Sequence, residues 1–147
     1  MGRASREADA ARALRRFTAY TQAAFYVTTG VWPLLDMRTF QKVTGPKTDQ
    51  WLVKTVGACL AVVGGVVGLA ASRNRVTPEI ALLGAGTAAA LTGIDLVYVA
   101  KRRISPIYLL DAAAETALIA LWALAGADEV EAKGQASDSR KAAERVY

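Results

Sequence analysis

The chain has 147 residues, a formal net charge of +5, and 53% hydrophobic against 21% charged residues. It contains no histidine and one cysteine, Cys59, which excludes an internal disulfide, a Cys/His zinc site, a CxxC redox pair and His-ligated haem. Most charges sit at the two ends and in three short connections, so the basic excess points to anionic lipid headgroups and not to nucleic acid.

In chain order, residues 1–16 carry Arg3, Arg6, Arg12, Arg15 and Arg16 among several alanines, the pattern of a short basic surface helix. Four apolar segments follow, residues 17–35, 51–72, 80–100 and 106–126. Each is about 20 residues long, the length at which a helix spans a hydrocarbon core of about 30 Å. Lipid offers no water to satisfy backbone groups, so such segments are expected to be helical. The fold class expected is therefore all-α, a four-helix transmembrane bundle over residues 17–126 with short connections and polar tails. A soluble bundle of unusually apolar helices is the weaker alternative, because the stretch from Thr55 to Ser72 holds no charge at all.

Helix starts are marked. Thr77-Pro78-Glu79 offers a capping hydroxyl, a first-turn proline and an acid to the third segment, Ser105-Pro106 does the same for the fourth, and Thr48 or Asp49 is placed to cap the second. Pro33 is expected to bend the end of the first. The connection from Asp36 to Gln50 is amphipathic in its first half and ends in a Gly45-Pro46 turn, suited to a lid or a plain interfacial linker. Small residues line the second segment (Gly57, Ala61, Gly64, Gly65, Gly68) and the third (Gly84, Ala85, Ala88, Ala89, Gly93), a spacing that lets helix backbones approach closely in lipid. Cys59 reads as a small buried thiol. Residues 127–147 mix Asp128, Glu129, Glu131 and Lys133 with Gly, Ser and Gln and read as a solvated tail, disordered or weakly helical.

With four spans both termini share a side with the second connection. That side holds eleven Lys and Arg against six on the other, which favours a multi-pass protein of the inner cell membrane with both termini cytoplasmic. The Ala- and Arg-rich composition suggests a bacterial source.

Lys54, Asp95, Asp111 and Glu115 fall within the spans, where ionisable groups are costly and turn to the bundle interior or a water-filled cavity. Counted from the segment ends, Lys54 lies about 5 Å inside, Asp95 and Asp111 about 8 Å, and Glu115 about 14 Å, all in one half of the bilayer. Asp111 and Glu115 share a face with Tyr108, Leu118 and Trp122, and Asp95 shares one with Gly84, Ala88, Leu91, Thr92 and Tyr98. Lys54 aligns with Ala58, Ala61, Gly65 and Gly68, and on the first segment Thr18, Gln22, Phe25, Thr29, Trp32 and Asp36 form a stripe. These faces together outline an acidic pocket: Asp95, Asp111 and Glu115 as acceptors or proton carriers, Lys54 as counter-charge, Trp32, Tyr98, Tyr108, Thr29 and Trp122 as walls, and Asp36, Arg38 and Arg102 at the rim. Lys54 can neutralise one acid, so at least one carboxyl, with Glu115 the deepest, is expected to be protonated. For Trp32 and Trp51 anchoring in an interfacial belt is the competing role. The glycine cluster at residues 63–68 lacks the lysine and the strand-to-helix context of a nucleotide loop.

The runs Trp32-Pro33-Leu34-Leu35-Asp36, Val43-Thr44-Gly45-Pro46-Lys47-Thr48-Asp49 and Trp51-Leu52-Val53-Lys54-Thr55-Val56-Gly57 resemble a small family of uncharacterised bacterial membrane proteins. The resemblance implies four membrane helices and no activity. In size the chain is similar to small multidrug transporters, but their acidic residue lies in the first helix, where this chain has only Gln22.

Binding or proton-linked transport of a lipophilic, cationic or polar small molecule is the function these residues suggest, with no cofactor and no metal. An accessory protein that holds membrane partner subunits or a second copy of itself is the alternative, its buried charges then serving helix packing. An enzyme comes last, since it would have to work with carboxylates or Lys54 alone.

Overall fold

The structure is a computed structural model that describes residues 3–144, with side chains over residues 5–126 and at 134 and 137. It is all-helical among the described residues: α1 Arg3–Leu35, α2 Met37–Thr44, α3 Gln50–Ser72, α4 Pro78–Ala100 and α5 Tyr108–Glu144. Three helices are long and apolar enough to cross a membrane, α3, α4 and the Tyr108–Gly126 part of α5. The first helix does not belong to that set, because its apolar positions are interrupted by Thr18, Gln22, Thr28 and Thr29.

The basic segment at residues 3–16 is not a separate helix. Its backbone runs unbroken into α1, because Ala, Arg, Leu and Glu favour helix and no glycine or proline occurs between Arg3 and Gly30. Pro33 lies inside the last turn of α1, which ends two residues later. At the other end of the chain the backbone of α5 stays helical to Glu144. The side chains of Asp128, Glu129, Glu131 and Lys133, expected to be solvated, lie outside the described residues.

The first connection folds as α2. Asp36 is its N-cap, with Oδ1 accepting the Thr39 backbone N–H at 3.0 Å. At its far end Gly45 takes φ 87°, a left-handed conformation that glycine alone adopts without strain. The sequence expectation for the other caps is met only in position. Thr77 stands at the N-cap of α4 and Asp49 at that of α3, but neither side chain makes a capping bond. Proline at the first position of α4 has no N–H to satisfy, which lessens the need for one. Ser105 and Pro106 form a turn, and α5 starts at Tyr108.

α1 packs along α3 on one side and α5 on the other, and α4 lies against α5. The α1–α3 seam is made by small residues. A Cβ on Gly30 would collide with the Gly57 carbonyl, one on Gly57 would come 2.5 Å from the Gly30 carbonyl oxygen, and Gly64 and Gly68 lie against Tyr26 and Ala23. Such an approach between two backbones leaves room for glycine only. It also decides how α3 is turned. The buried line is Gly57, Gly64, Val67 and Ala71, about one position round from the expected one. Ala58 and Gly65 are therefore exposed, and so is Cys59, expected to be buried.

The burial pattern runs opposite to that of a water-soluble bundle. Thr18, Gln22, Asp95 and Glu115 are buried, while Val62, Leu69, Leu82, Ile94, Leu110 and Leu124 are each at least half exposed. A molecule of this kind needs an apolar surrounding for its outer surface.

Candidate functional site: a buried carboxyl cluster

The site is assembled by three helices. α4 contributes Asp95, on the same inward line as Gly84 and Ala88. α5 contributes Asp111 and Glu115, one turn apart, on the line that continues through Leu118 and Trp122. α1 contributes Gln22 and Tyr26, again one turn apart, both fully buried. Because α5 begins at Tyr108 and not at Pro106, Asp111 and Glu115 lie about 5 Å and 10 Å from its start. They are shallower than the segment ends suggested.

Glu115 is 1% exposed and accepts a hydrogen bond from the Tyr26 hydroxyl at 2.9 Å through Oε2. The Asp95 carboxyl lies beside that of Asp111, and among the described residues the buried Asp95 Oδ2 meets no donor. Two ionised carboxylates are both acceptors, so this contact becomes a hydrogen bond only with a proton between them. One helical turn further from the α5 start, Gln22 donates from Nε2 to the Gly84 carbonyl at 2.9 Å and accepts from the Trp122 indole N–H at 2.7 Å. A Cβ on Gly84 would fall 2.5 Å from Gln22 Oε1 and 2.8 Å from Trp122 Nε1, so glycine is what admits the amide and the indole together.

The remaining sequence-derived site residues are dispersed. Lys54 is exposed on α3, on the line of Ala58 and Gly65 and away from the seam with α1. Among the described residues no Lys or Arg pairs with Asp95, Asp111 or Glu115. Arg38 and Arg102 are exposed at the surface. Of the expected walls, Trp122 is buried and bonded as above. Trp32 donates to Thr39 Oγ1 at 2.9 Å and meets Phe40 edge-on, so it fastens α2 to α1. Tyr98 is 45% exposed with the Lys101 ammonium over its ring, and Tyr108 carries the Lys47 ammonium at 4.7 Å. Thr29 and Thr92 each donate to a carbonyl one turn back in their own helix. Asp36 caps α2, and the Thr39 N–H it accepts holds its carboxyl below the usual carboxylate range.

Sequence reasoning left out Tyr26 and gave Gln22 no role beyond the α1 stripe. The available signal was their spacing of four, which puts two hydrogen-bonding side chains on one face of an otherwise apolar stretch. No family model, no curated protein and no solved structure matches this chain.

Proposed function

We propose that this chain is a four-helix integral membrane protein, with residues 17–35 of α1 as the fourth span, whose buried carboxyl cluster binds protons and a small lipophilic cation. The single observation that carries the reading is the cluster itself. Three carboxyls, Asp95 and Glu115 buried and Asp111 half-buried, meet a buried tyrosine between three helices, and among the described residues no cation balances them. Ionisable groups held inside a membrane protein mark substrate or proton pathways by default. A proton and a lipophilic cation are the two positive species that can reach such a site from the bilayer, and exchange of one for the other is proton-linked transport.

Support for the fourth span is physical. Residues 17–35 carry no charge, and their polar side chains are turned inward, with Thr18 and Gln22 fully buried. Flanked by α3 and α5, that helix needs less hydropathy of its own to sit in lipid. The excess of Lys and Arg at the termini and the α3–α4 connection favours an inner-membrane protein with cytoplasmic termini.

The test is a thermal-unfolding screen of the full chain in detergent with lipophilic cations, on wild type and on Glu115→Gln, followed by uptake of the same cation into proteoliposomes under an imposed pH gradient. A ligand at a hundred times its dissociation constant stabilises by about 2.7 kcal/mol. Saturable stabilisation and gradient-driven uptake, both lost in Glu115→Gln, are the expected results. A variant that binds and transports like wild type removes Glu115 from the site.

One set of contacts favours the second reading, in which the polar groups serve helix packing. Gln22 ties α1 to both α4 and α5, and Tyr26–Glu115 adds a second tie between α1 and α5. That reading gains if no cation stabilises the protein and Glu115→Gln is as stable as wild type. Gly64 and Gly68 are used against α1, so they leave no free glycine face there for a partner subunit.

A further inference from the structure

At the end of the bundle nearest the carboxyls, the α2–α3 and α4–α5 connections enclose an open cleft of about 600 Å³, lined by residues 44–49, 52, 53 and 102–105. Its charges are unequal: Lys47, Arg102 and Arg103 face one acid, Asp49. Among the described residues none of the three cations pairs with a carboxylate. Lys47 is held in place by the Thr44 carbonyl at 3.1 Å and the Tyr108 ring at 4.7 Å, so its ammonium is positioned but not neutralised. Thr48 and Ser105 add hydroxyl groups to the lining, while the Thr44 hydroxyl is used on the Phe40 carbonyl at 3.0 Å.

Two backbone features bring these groups together. Gly45, at φ 87°, carries the α2–α3 connection so close to the other that a Cβ there would touch Ser105. Arg102 sits at φ 54° just past the end of α4, a position that glycine or asparagine fills with less strain. The turn then sends Arg103 back with its N–H on the Tyr98 carbonyl at 2.9 Å. The walls include Leu52, Val53 and Ile104, and Leu52 and the neighbouring Trp51 are largely exposed at the start of an apolar helix. Cations and hydroxyls above an apolar wall, at the end of membrane-crossing helices, are the complement of a phosphate joined to acyl chains.

We infer that this cleft binds a phosphate-bearing ligand, the headgroup of an anionic phospholipid, through Arg102, Arg103 and Lys47. The site is separate from the carboxyl cluster and does not depend on what that cluster carries.

The experiment follows thermal unfolding of the full chain in neutral detergent, titrated with phosphatidylglycerol, phosphatidylcholine or inorganic phosphate. Phosphatidylglycerol is expected to raise the unfolding temperature saturably and phosphatidylcholine not to. The double variant Arg102→Asn/Arg103→Gln, in which asparagine keeps the left-handed turn, is expected to need at least tenfold more phosphatidylglycerol for the same shift. Lys101→Gln, outside the cleft, and Glu115→Gln are expected to respond as wild type. Should the double variant fail to fold, Arg103→Gln alone and wild type in 0.5 M salt each provide the weakened response. Saturation by inorganic phosphate that is lost in the variant keeps the phosphate site and assigns it to a soluble ligand in place of a lipid. An equal response to phosphatidylcholine, or a double variant indistinguishable from wild type, overturns the inference.

Discussion

At the scale of single residues, the molecule puts its polar side chains where their partners are few and fixed. Among the described residues Tyr26 is the only donor on Glu115, so Tyr26→Phe leaves a buried carboxyl without that hydrogen bond. A loss of about 1–3 kcal/mol follows, measurable as a lower denaturation midpoint in detergent. Gly84→Ala forces apart Gln22 and Trp122, which hold each other at 2.7 Å. It should cost about 1–3 kcal/mol and change the environment of Trp122, seen as a shift in tryptophan fluorescence that Gly86→Ala does not produce, since a Cβ there meets no packed neighbour within 4 Å among the described residues. Asp36 behaves differently because it is exposed. Its folded carboxyl is held below the ordinary value by the Thr39 N–H. Its help to α2 is therefore complete above the unfolded pKa of about 3.9 and is lost as pH falls through the lower folded value. Amide exchange over Met37–Thr44 should accelerate in that acid range in wild type, and at neutral pH in Asp36→Ala. Protection unchanged in the variant would show that Trp32 and Phe40 alone hold α2.

At the scale of elements, the α1–α3 seam decides the orientation of everything on α3. Gly30→Ala and Gly57→Ala each set a methyl group against the facing helix backbone, which has no rotamer to retreat into. Each should destabilise by about 3 kcal/mol. Gly65→Ala, with open space around its Cα, should be neutral or stabilising by up to about 1 kcal/mol through helix propensity. Equal behaviour of the three variants on thermal unfolding would dissolve the seam. The same seam explains why a face drawn from periodicity alone misplaced α3. Lys54 and Gly57 both look inward-capable in sequence, but the buried face runs through Gly57, Gly64, Val67 and Ala71, with Lys54 beyond its edge. Gly57 is taken because a backbone contact needs glycine, which leaves Lys54 on the outer face, where a long stem can carry its ammonium toward the membrane surface.

At the scale of the whole molecule, two contacts give the helices alternating directions. The cleft joins the α2–α3 and α4–α5 connections at one end, and at the other Arg15 Nη1 donates to the Val76 carbonyl at 3.4 Å. In a Cys59→Ser background, cysteines at Thr48 and Ser105 should react with a membrane-impermeant maleimide from one face of sealed vesicles, and one at Arg75 from the opposite face. Thr48 and Ser105 reacting from different sides would exclude four crossings.

Helical class, the three strongest apolar helices and the inward faces of α4 and α5 follow from sequence. Long charge-free runs bounded by Pro, Gly and charge leave little other structure in lipid, and Asp95, Asp111, Glu115 and Trp122 lie at helical spacing from small or apolar neighbours. The exposure of Lys54 and Cys59 and the pairing of Tyr26 with Glu115 and of Gln22 with Trp122 were decided only by the tertiary structure. The physical reason is that periodicity fixes which residues share a face, whereas the neighbour that face meets depends on where backbones can approach, here at Gly30 and Gly57, contacts between residues far apart in the chain.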